Sequence, residues 1–179
     1  MIENDIERVF FTADALQEKV KELGTRITSD YLEKNPLIIG VLKGSFVFMA
    51  DLMRSINTYC DIDFMAVSSY GNGTTTTGAV RITKDLSYDV QNRHVIIIED
   101  ILDSGVTLSY LKKYIENRNP ASISICTLLD KPSRRKSDIH ADYVGFICPD
   151  AFIVGYGLDY AERYRNLPYI GVLKSEIYA

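Results

Sequence analysis

An α/β fold built on a parallel sheet with flanking helices is predicted for this chain, and three observations predict it. Runs of Leu, Ile and Val alternate with stretches of three-four apolar spacing through most of the sequence. Each of the runs at 37–42 and 95–99 leads through a short polar loop into a helical pattern, giving successive strand-loop-helix units. The run Val95-Ile96-Ile97-Ile98 enters two adjacent acids, Glu99 and Asp100, then a turn containing Asp103, Ser104, Gly105 and Thr107. In an open parallel sheet, that junction of strand end and helix start is where ligands bind.

In chain order, Thr12 is placed to cap a helix whose apolar positions are Leu16, Val20, Leu23, Ile27 and Tyr31. Asn35-Pro36 should end it, because a residue before proline avoids helical geometry. Residues 37–42 read as a buried strand, and Lys43-Gly44-Ser45 leads into a helix carrying Phe46, Met49, Ala50, Met53 and Ile56. A strand at about 62–67 is followed by a Gly/Asn/Thr stretch through Gly78, with little to bury and hence expected to be mobile. A return strand at 79–86 would complete a long hairpin. After the strand at 95–99, Leu108, Leu111 and Ile115 mark a helix that stops before Pro120. Further strands are predicted at 123–129, 143–146, 153–156 and 170–173, with a polar loop at 130–136. The less regular tail suggests a small accessory lobe, and no linker or second domain boundary is visible.

The 179 residues are enough for one well-buried core, and 46% apolar with 25% charged residues is ordinary globular composition. Twenty basic against 24 acidic residues leave a formal charge of -4, which argues against a nucleic-acid partner. Cys60, Cys126 and Cys148 lack metal-site spacing, and two histidines cannot build a histidine-rich metal centre. The acidic N-terminus does not have the order of a signal peptide, and no apolar run is long enough to span a membrane; the cytoplasm is the default location.

The segment 103–107 offers successive backbone N–H groups at a helix N-terminus, with hydroxyls from Ser104 and Thr107, a combination suited to a phosphate dianion. The carboxylates of Glu99 and Asp100 suit ribose hydroxyls or magnesium. An isolated acid pair more often merely ends a strand; the complete pattern favours a site. Neither GxxxxGK[ST] nor GxGxxG occurs.

The string Ile97-Ile98-Glu99-Asp100-Ile101-Leu102-Asp103-Ser104-Gly105-Val106-Thr107 resembles the phosphoribosyl-pyrophosphate signature of the type I phosphoribosyltransferases. Five further strings, in order, resemble the branch of that family that acts on hypoxanthine in bacteria. They are Leu42-Lys43-Gly44-Ser45, Ser68-Ser69-Tyr70-Gly71, Leu128-Leu129-Asp130-Lys131, and the C-terminal blocks beginning at Phe152 and Tyr164. The resemblance implies that family's fold: one domain over 1–179, with a core of about 12–147, a long mobile hairpin and a hood formed mainly by about 148–179 with N-terminal residues. It also implies a purine-salvage reaction joining a 6-oxopurine to phosphoribosyl pyrophosphate, magnesium as cofactor, and a homodimer or homotetramer.

The same resemblance implies residue roles. Asp103, Ser104, Gly105, Val106 and Thr107 would bind the 5'-phosphate, and Asp103 would also be the general base at the purine N7. Glu99 and Asp100 would hold the ribose hydroxyls, directly or through magnesium. Lys43, Gly44 and Arg165 would hold the pyrophosphate, with a cis peptide between Leu42 and Lys43, and Ser69 and Tyr70 would contact phosphoribosyl pyrophosphate from the hairpin. Lys131 would donate to the purine O6, Phe152 would stack on the base, and the Ile153 backbone would read its edge. Asp159 would lie at the purine site and bind a second magnesium. Taken singly, Lys43 and Lys131 read equally as loop charges, Phe152 as a core aromatic and Asp159 as a loop acid, and Arg163 competes with Arg165. The threonine run at 74–77 and Ile153, where valine is usual, depart from the family pattern. A non-catalytic nucleotide sensor that controls a partner is the alternative from another class, and xanthine or adenine specificity the alternative within the enzyme class.

Overall fold

The computed structural model describes residues 1–69 and 80–179. Thirteen labelled elements run β1 (Ile6–Phe11), α1 (Ala13–Asp30), β2 (Leu37–Leu42), α2 (Phe46–Ser55), β3 (Asp61–Ser69), β4 (Val80–Lys84), β5 (His94–Leu102), α3 (Val106–Glu116), β6 (Ser122–Asp130), β7 (Tyr143–Ile147), β8 (Ile153–Val154), β9 (Ile170–Leu173) and α4 (Ser175–Tyr178). Six strands form the main sheet in the order β4-β3-β2-β5-β6-β7, and β1, β9 and β8 form a second, antiparallel sheet. In the main sheet β4 alone runs antiparallel, against β3.

Side-chain alternation sends each central strand into two layers. Ile38, Ile96 and Ile98 pack under α1 and α2 with Leu23, Ile27, Phe48 and Leu52. Leu37, Ile39, Val95 and Ile97 pack on the other face with Leu108, Leu111 and Ile115 of α3. Helices therefore cover both faces, which is why the runs at 37–42 and 95–98 within these strands carry no polar side chain. Thr12 caps α1 as expected, its Oγ1 accepting from Ala15 N at 3.2 Å. The helix ends at Asp30, earlier than Asn35-Pro36, and the connection turns through positive φ at Glu33 (63°) and Asn35 (42°).

Further differences from the sequence expectation fall at β5, β8 and β1. β5 runs to Leu102 because β6 keeps pairing with it through Glu99↔Thr127, Ile101↔Leu129 and Leu102↔Asp130, so the two acids lie inside the strand. β8 stops at Val154 because Gly155 and Tyr156 take positive φ (101° and 52°) and turn the chain. β1 had no clear strand pattern, its central residues Glu7, Arg8 and Val9 being exposed; it exists by pairing along β9.

The small sheet is tied down over the main one. Phe11 stacks on Phe146 of β7 with centroids 4.2 Å apart, and the Tyr156 hydroxyl donates to Asp51 on α2. The expected hairpin is flanked by β3 and β4 in antiparallel register, while Tyr70, the first of the hairpin residues, and the 71–79 stretch lie outside the described residues.

Candidate active site

The chain leaves β2 for β3 on one side of the sheet and continues from β5 to β6 and β7 on the other, so strand order reverses between β2 and β5. Their pairing ends at Gly40↔Ile98, while both strands continue, β2 to Leu42 and β5 to Leu102. The separated ends open a cleft of about 270 Å³ lined by Val41, Leu42, Val67, residues 99–105, Thr107 and Leu108. Its floor is the turn into α3. Gly105 is the N-cap in the left-handed region (φ 79°), the Ser104 Oγ accepts from Val106 N at 3.4 Å, and the Ser104 carbonyl accepts from Lys136 N at 2.9 Å. The first-turn amides of α3 have no carbonyl partners within the helix, an arrangement suited to an anion.

The acid pair borders this cleft. Asp100 is 8% exposed, with Oδ1 accepting from Ile101 N at 2.8 Å. Burial, and then the adjacent Asp100 charge, push the Glu99 carboxyl well above its ordinary value. Burial likewise raises Asp100, against hydrogen bonds and the Arg165 charge, which lower it. Two adjacent carboxylates held away from water are a place where a hard cation or ribose hydroxyls relieve like-charge repulsion. No group of three potential metal-ligating side chains occurs among the described residues. Magnesium fits this arrangement, because it is commonly held by one or two carboxylates with the remaining oxygens supplied by substrate and water.

The loop between β2 and α2 forms the next wall. Leu42–Lys43 is a cis peptide bond, as the resemblance implies. A Cβ on Gly44 would lie 1.8 Å from Asp100 Oδ2, so this backbone is packed directly on the acid pair. Ser45 is buried, its Oγ donating to Val41 O at 2.7 Å and so closing the turn into α2. Gly157 (φ 99°) closes against it from the hood, since a Cβ there would meet the Gly44 carbonyl at 2.2 Å. Arg165 is anchored below, with Nη1 donating to Gly157 O at 2.8 Å and Nη2 lying 2.9 Å from Asp159 Oδ1. Both Lys43 (3.0 Å) and Arg165 (3.4 Å) also reach one oxygen of Glu162, and these cations, Lys43 first, hold that carboxyl below its ordinary value.

A second cleft of about 370 Å³ lies between the sheet and the hood, lined by Ile101, Asp103, Lys131, Arg134, residues 150–153, Leu158, Asp159 and Tyr178. Lys131 is 5% exposed, and its Nζ donates to Ala151 O at 2.8 Å with Asp150 3.9 Å away. A buried ammonium with three donors thus has donor capacity left for a ligand oxygen. Phe152 stands at the opposite wall, stacked on Tyr178 (4.4 Å, 15°) and edge-on to Tyr160 (5.5 Å, 84°). Ile153 is buried in β8, paired with Val172.

Asp103 and Ile101 line both clefts. Asp103 Oδ1 is buried without a hydrogen-bond partner among the described residues, 3.4 Å from Arg134 Nε. The predicted residues therefore gather into two adjoining cavities: Glu99, Asp100, Asp103, Ser104, Gly105 and Thr107 in one, and Lys131, Phe152, Ile153 and Asp159 in the other; Val106 lines neither, Gly44 packs on Asp100, and Lys43 and Arg165 meet at Glu162. Ser69 is the last residue of β3, and Tyr70 lies outside the described residues. Asp159 is already engaged, accepting from Arg165 and from Glu162 N at 2.9 Å, so a metal there would compete with the arginine. Sequence reasoning missed Arg134, Glu162 and Tyr178. Arg134 had a signal, the basic run beside Lys131; nothing in the sequence joins Glu162 to Lys43, 119 residues away.

A family model for the phosphoribosyl transferase domain matches residues 12–161. The chain is 61% identical over 178 residues to the hypoxanthine-guanine phosphoribosyltransferase of Bacillus subtilis (strain 168), with 99% of each chain covered. It is 54% identical over 179 residues to the hypoxanthine-guanine phosphoribosyltransferase of Streptococcus agalactiae (serotype V strain), covering 100% of this chain and 99% of that one. A crystal structure of a hypoxanthine phosphoribosyltransferase from Staphylococcus aureus matches with a TM-score of 0.96 at 52% identity, over 99% of this chain and 97% of that one. The fold, the order of its motifs and these similarities agree, and the chain belongs to the phosphoribosyltransferase family, among the hypoxanthine-guanine phosphoribosyltransferases.

Proposed function

We propose that this enzyme joins hypoxanthine or guanine to 5-phosphoribosyl 1-pyrophosphate, giving IMP or GMP and releasing pyrophosphate, in purine salvage. The observation that carries this reading is the position of Asp103, shared between an anion-binding cleft and a cleft with an aromatic wall and a buried lysine. A transferase of this kind must hold two substrates with their reacting atoms in contact, and most of its catalysis is positioning and electrostatic stabilisation of an oxocarbenium-like transition state.

In this scheme the amides and hydroxyls of 103–107 take the 5'-phosphate, and Glu99 and Asp100 face the ribose hydroxyls. Glu99 and Asp100, with Asp159 as a second position, would hold magnesium, which supplies positive charge to the diphosphate as it departs. Lys43, the Gly44 backbone and Arg165 bind the leaving diphosphate, and Ser69 and Tyr70 would contact phosphoribosyl pyrophosphate. Lys131 donates to the purine O6; a cationic donor favours an oxo group and opposes adenine's amino group, which itself donates. Phe152 stacks on the base, the Ile153 backbone reads its edge, and the Asp103 carboxylate accepts the proton from N7 as the new bond to the anomeric carbon forms.

We read one domain over 1–179, with a core of about 12–147 and a hood formed mainly by about 148–179 with N-terminal residues. We place the enzyme in the cytoplasm as a homodimer or homotetramer acting on small molecules, without nucleic-acid or membrane partners; no helix among the described residues is long and apolar enough to cross a membrane. Incubation with magnesium, phosphoribosyl pyrophosphate and each of hypoxanthine, guanine, xanthine and adenine tests the activity. Nucleotide should form from hypoxanthine and guanine and not from adenine; absence of product from both 6-oxopurines would overturn it. Light scattering reports the oligomer.

A further inference from the structure

We propose that Glu162 is a built-in counter-anion of the leaving-group subsite, occupying it in the ligand-free enzyme and being displaced by pyrophosphate. This rests on the assignment of Lys43 and Arg165 to the diphosphate. Glu162 Oε2 is 3.0 Å from Lys43 Nζ and 3.4 Å from Arg165 Nη2, so a single carboxylate oxygen serves two cations brought in by separate parts of the fold. Lys43 comes from the loop after β2, and Arg165 from the hood loop between β8 and β9. Arg165 Nη2 also pairs with Asp159 Oδ1 at 2.9 Å, but Glu162 is the carboxylate that bridges it to Lys43, and its shared oxygen is placed as a phosphate oxygen would be.

The hood loop is folded to present that carboxylate. Ala161, Glu162 and Tyr164 all take positive φ (50°, 64° and 75°), a region costly for non-glycine residues, and Glu162 N donates to Asp159 Oδ2 at 2.9 Å. Such a turn persists only where surrounding contacts hold it. The contact with Lys43 is nevertheless open to water, the Lys43 and Glu162 side chains being 67% and 64% exposed, and an exposed pair of this kind is weak and exchangeable. A single carboxylate is therefore able to hold the cations in place and shield them from stray monovalent anions. It gives way to a diphosphate, which carries more charge and more acceptor oxygens. The same competition works in reverse after reaction, because the returning carboxylate favours departure of pyrophosphate.

Titration calorimetry of inorganic pyrophosphate in the presence of magnesium tests this on the full chain, comparing the native enzyme with Glu162→Gln, Lys43→Gln and the double variant. Glu162→Gln should bind pyrophosphate more tightly, by about two- to five-fold on the scale of exposed ion pairs. It should also be more strongly product-inhibited, with a lower KM for phosphoribosyl pyrophosphate. The gain should shrink when Lys43 is also replaced. Unchanged or weaker binding in Glu162→Gln, with Lys43→Gln weakened, would overturn the counter-anion role alone and make Glu162 a support that positions the cations. Unchanged binding in Lys43→Gln would instead remove Lys43 from the subsite, and the role of Glu162 with it.

Discussion

Gly44 lies so close to Asp100 that a Cβ on the glycine would sit 1.8 Å from Asp100 Oδ2. The loop after β2 and the acids of β5 form one packed unit, and glycine is needed at residue 44 for space. In Gly44→Ala either the loop retreats or the carboxylate turns away, at a cost of about 1–3 kcal/mol as for other overpacked sites. Activity should fall by at least about ten-fold, since a misplacement near 1 Å at a reacting centre is costly. Thermal denaturation and steady-state assay of pyrophosphate release check both parts; native activity would refute the coupling.

Asp103 borders both clefts, together with Ile101, and of the two it is the one that can take a proton. Asp103→Asn preserves shape and removes the proton acceptor, so kcat should fall by about 10²–10⁴-fold, the usual scale of general-base catalysis. Binding of phosphoribosyl pyrophosphate, measured by calorimetry, should change little. Near-normal turnover would refute the general-base role.

Lys131 is buried and holds the Ala151 carbonyl at 2.8 Å while facing the second cleft. Lys131→Met keeps much of the side-chain length and removes the donor. Discrimination between hypoxanthine and adenine, taken as the ratio of kcat/KM values, should fall by about 10–100-fold, the worth of a hydrogen bond to a charged group. Unchanged selectivity would take Lys131 out of the purine site.

Asp63 gives a pH dependence away from the site. It is 5% exposed, and burial alone would raise its carboxyl; N–H groups of Phe64, Tyr88 and Ser87, with Lys84 nearby, outweigh burial and hold it below the ordinary 3.8. A depressed folded value means that the unfolded chain binds more protons in the window below 3.8, so this contribution is complete above that pH and is lost as pH falls through the folded value. Asp63→Asn should cost about 1–3 kcal/mol at neutral pH, because buried donors lose a charged acceptor. The gap between native and variant stability should narrow below pH 3.8, as followed by denaturant unfolding across pH.

Much of the sheet was legible because its determinants are local. The apolar runs at 37–42 and 95–98, the Thr12 cap and the spacing of Leu108, Leu111 and Ile115 each belong to one element and survive in the structure. The far boundary of β5 was not legible: the apolar run and its first acid end the strand at Glu99 by sequence, and only pairing with β6 keeps the chain extended to Leu102. β1 was invisible for the same reason, since exposed Glu7, Arg8 and Val9 acquire strand geometry from β9.

By itself the sequence determined the alternation of strands and helices, the acid pair followed by a turn suited to an anion, and the order of motifs that identifies the family. These are matters of periodicity and side-chain chemistry, which depend on near neighbours along the chain. The tertiary structure alone decided that β2 and β5 separate beyond Gly40 and Ile98 to open the cleft, that Asp103 borders both cavities, and that Glu162 meets Lys43. Those relationships join residues far apart in sequence and arise from strand register and from how the hood packs on the sheet.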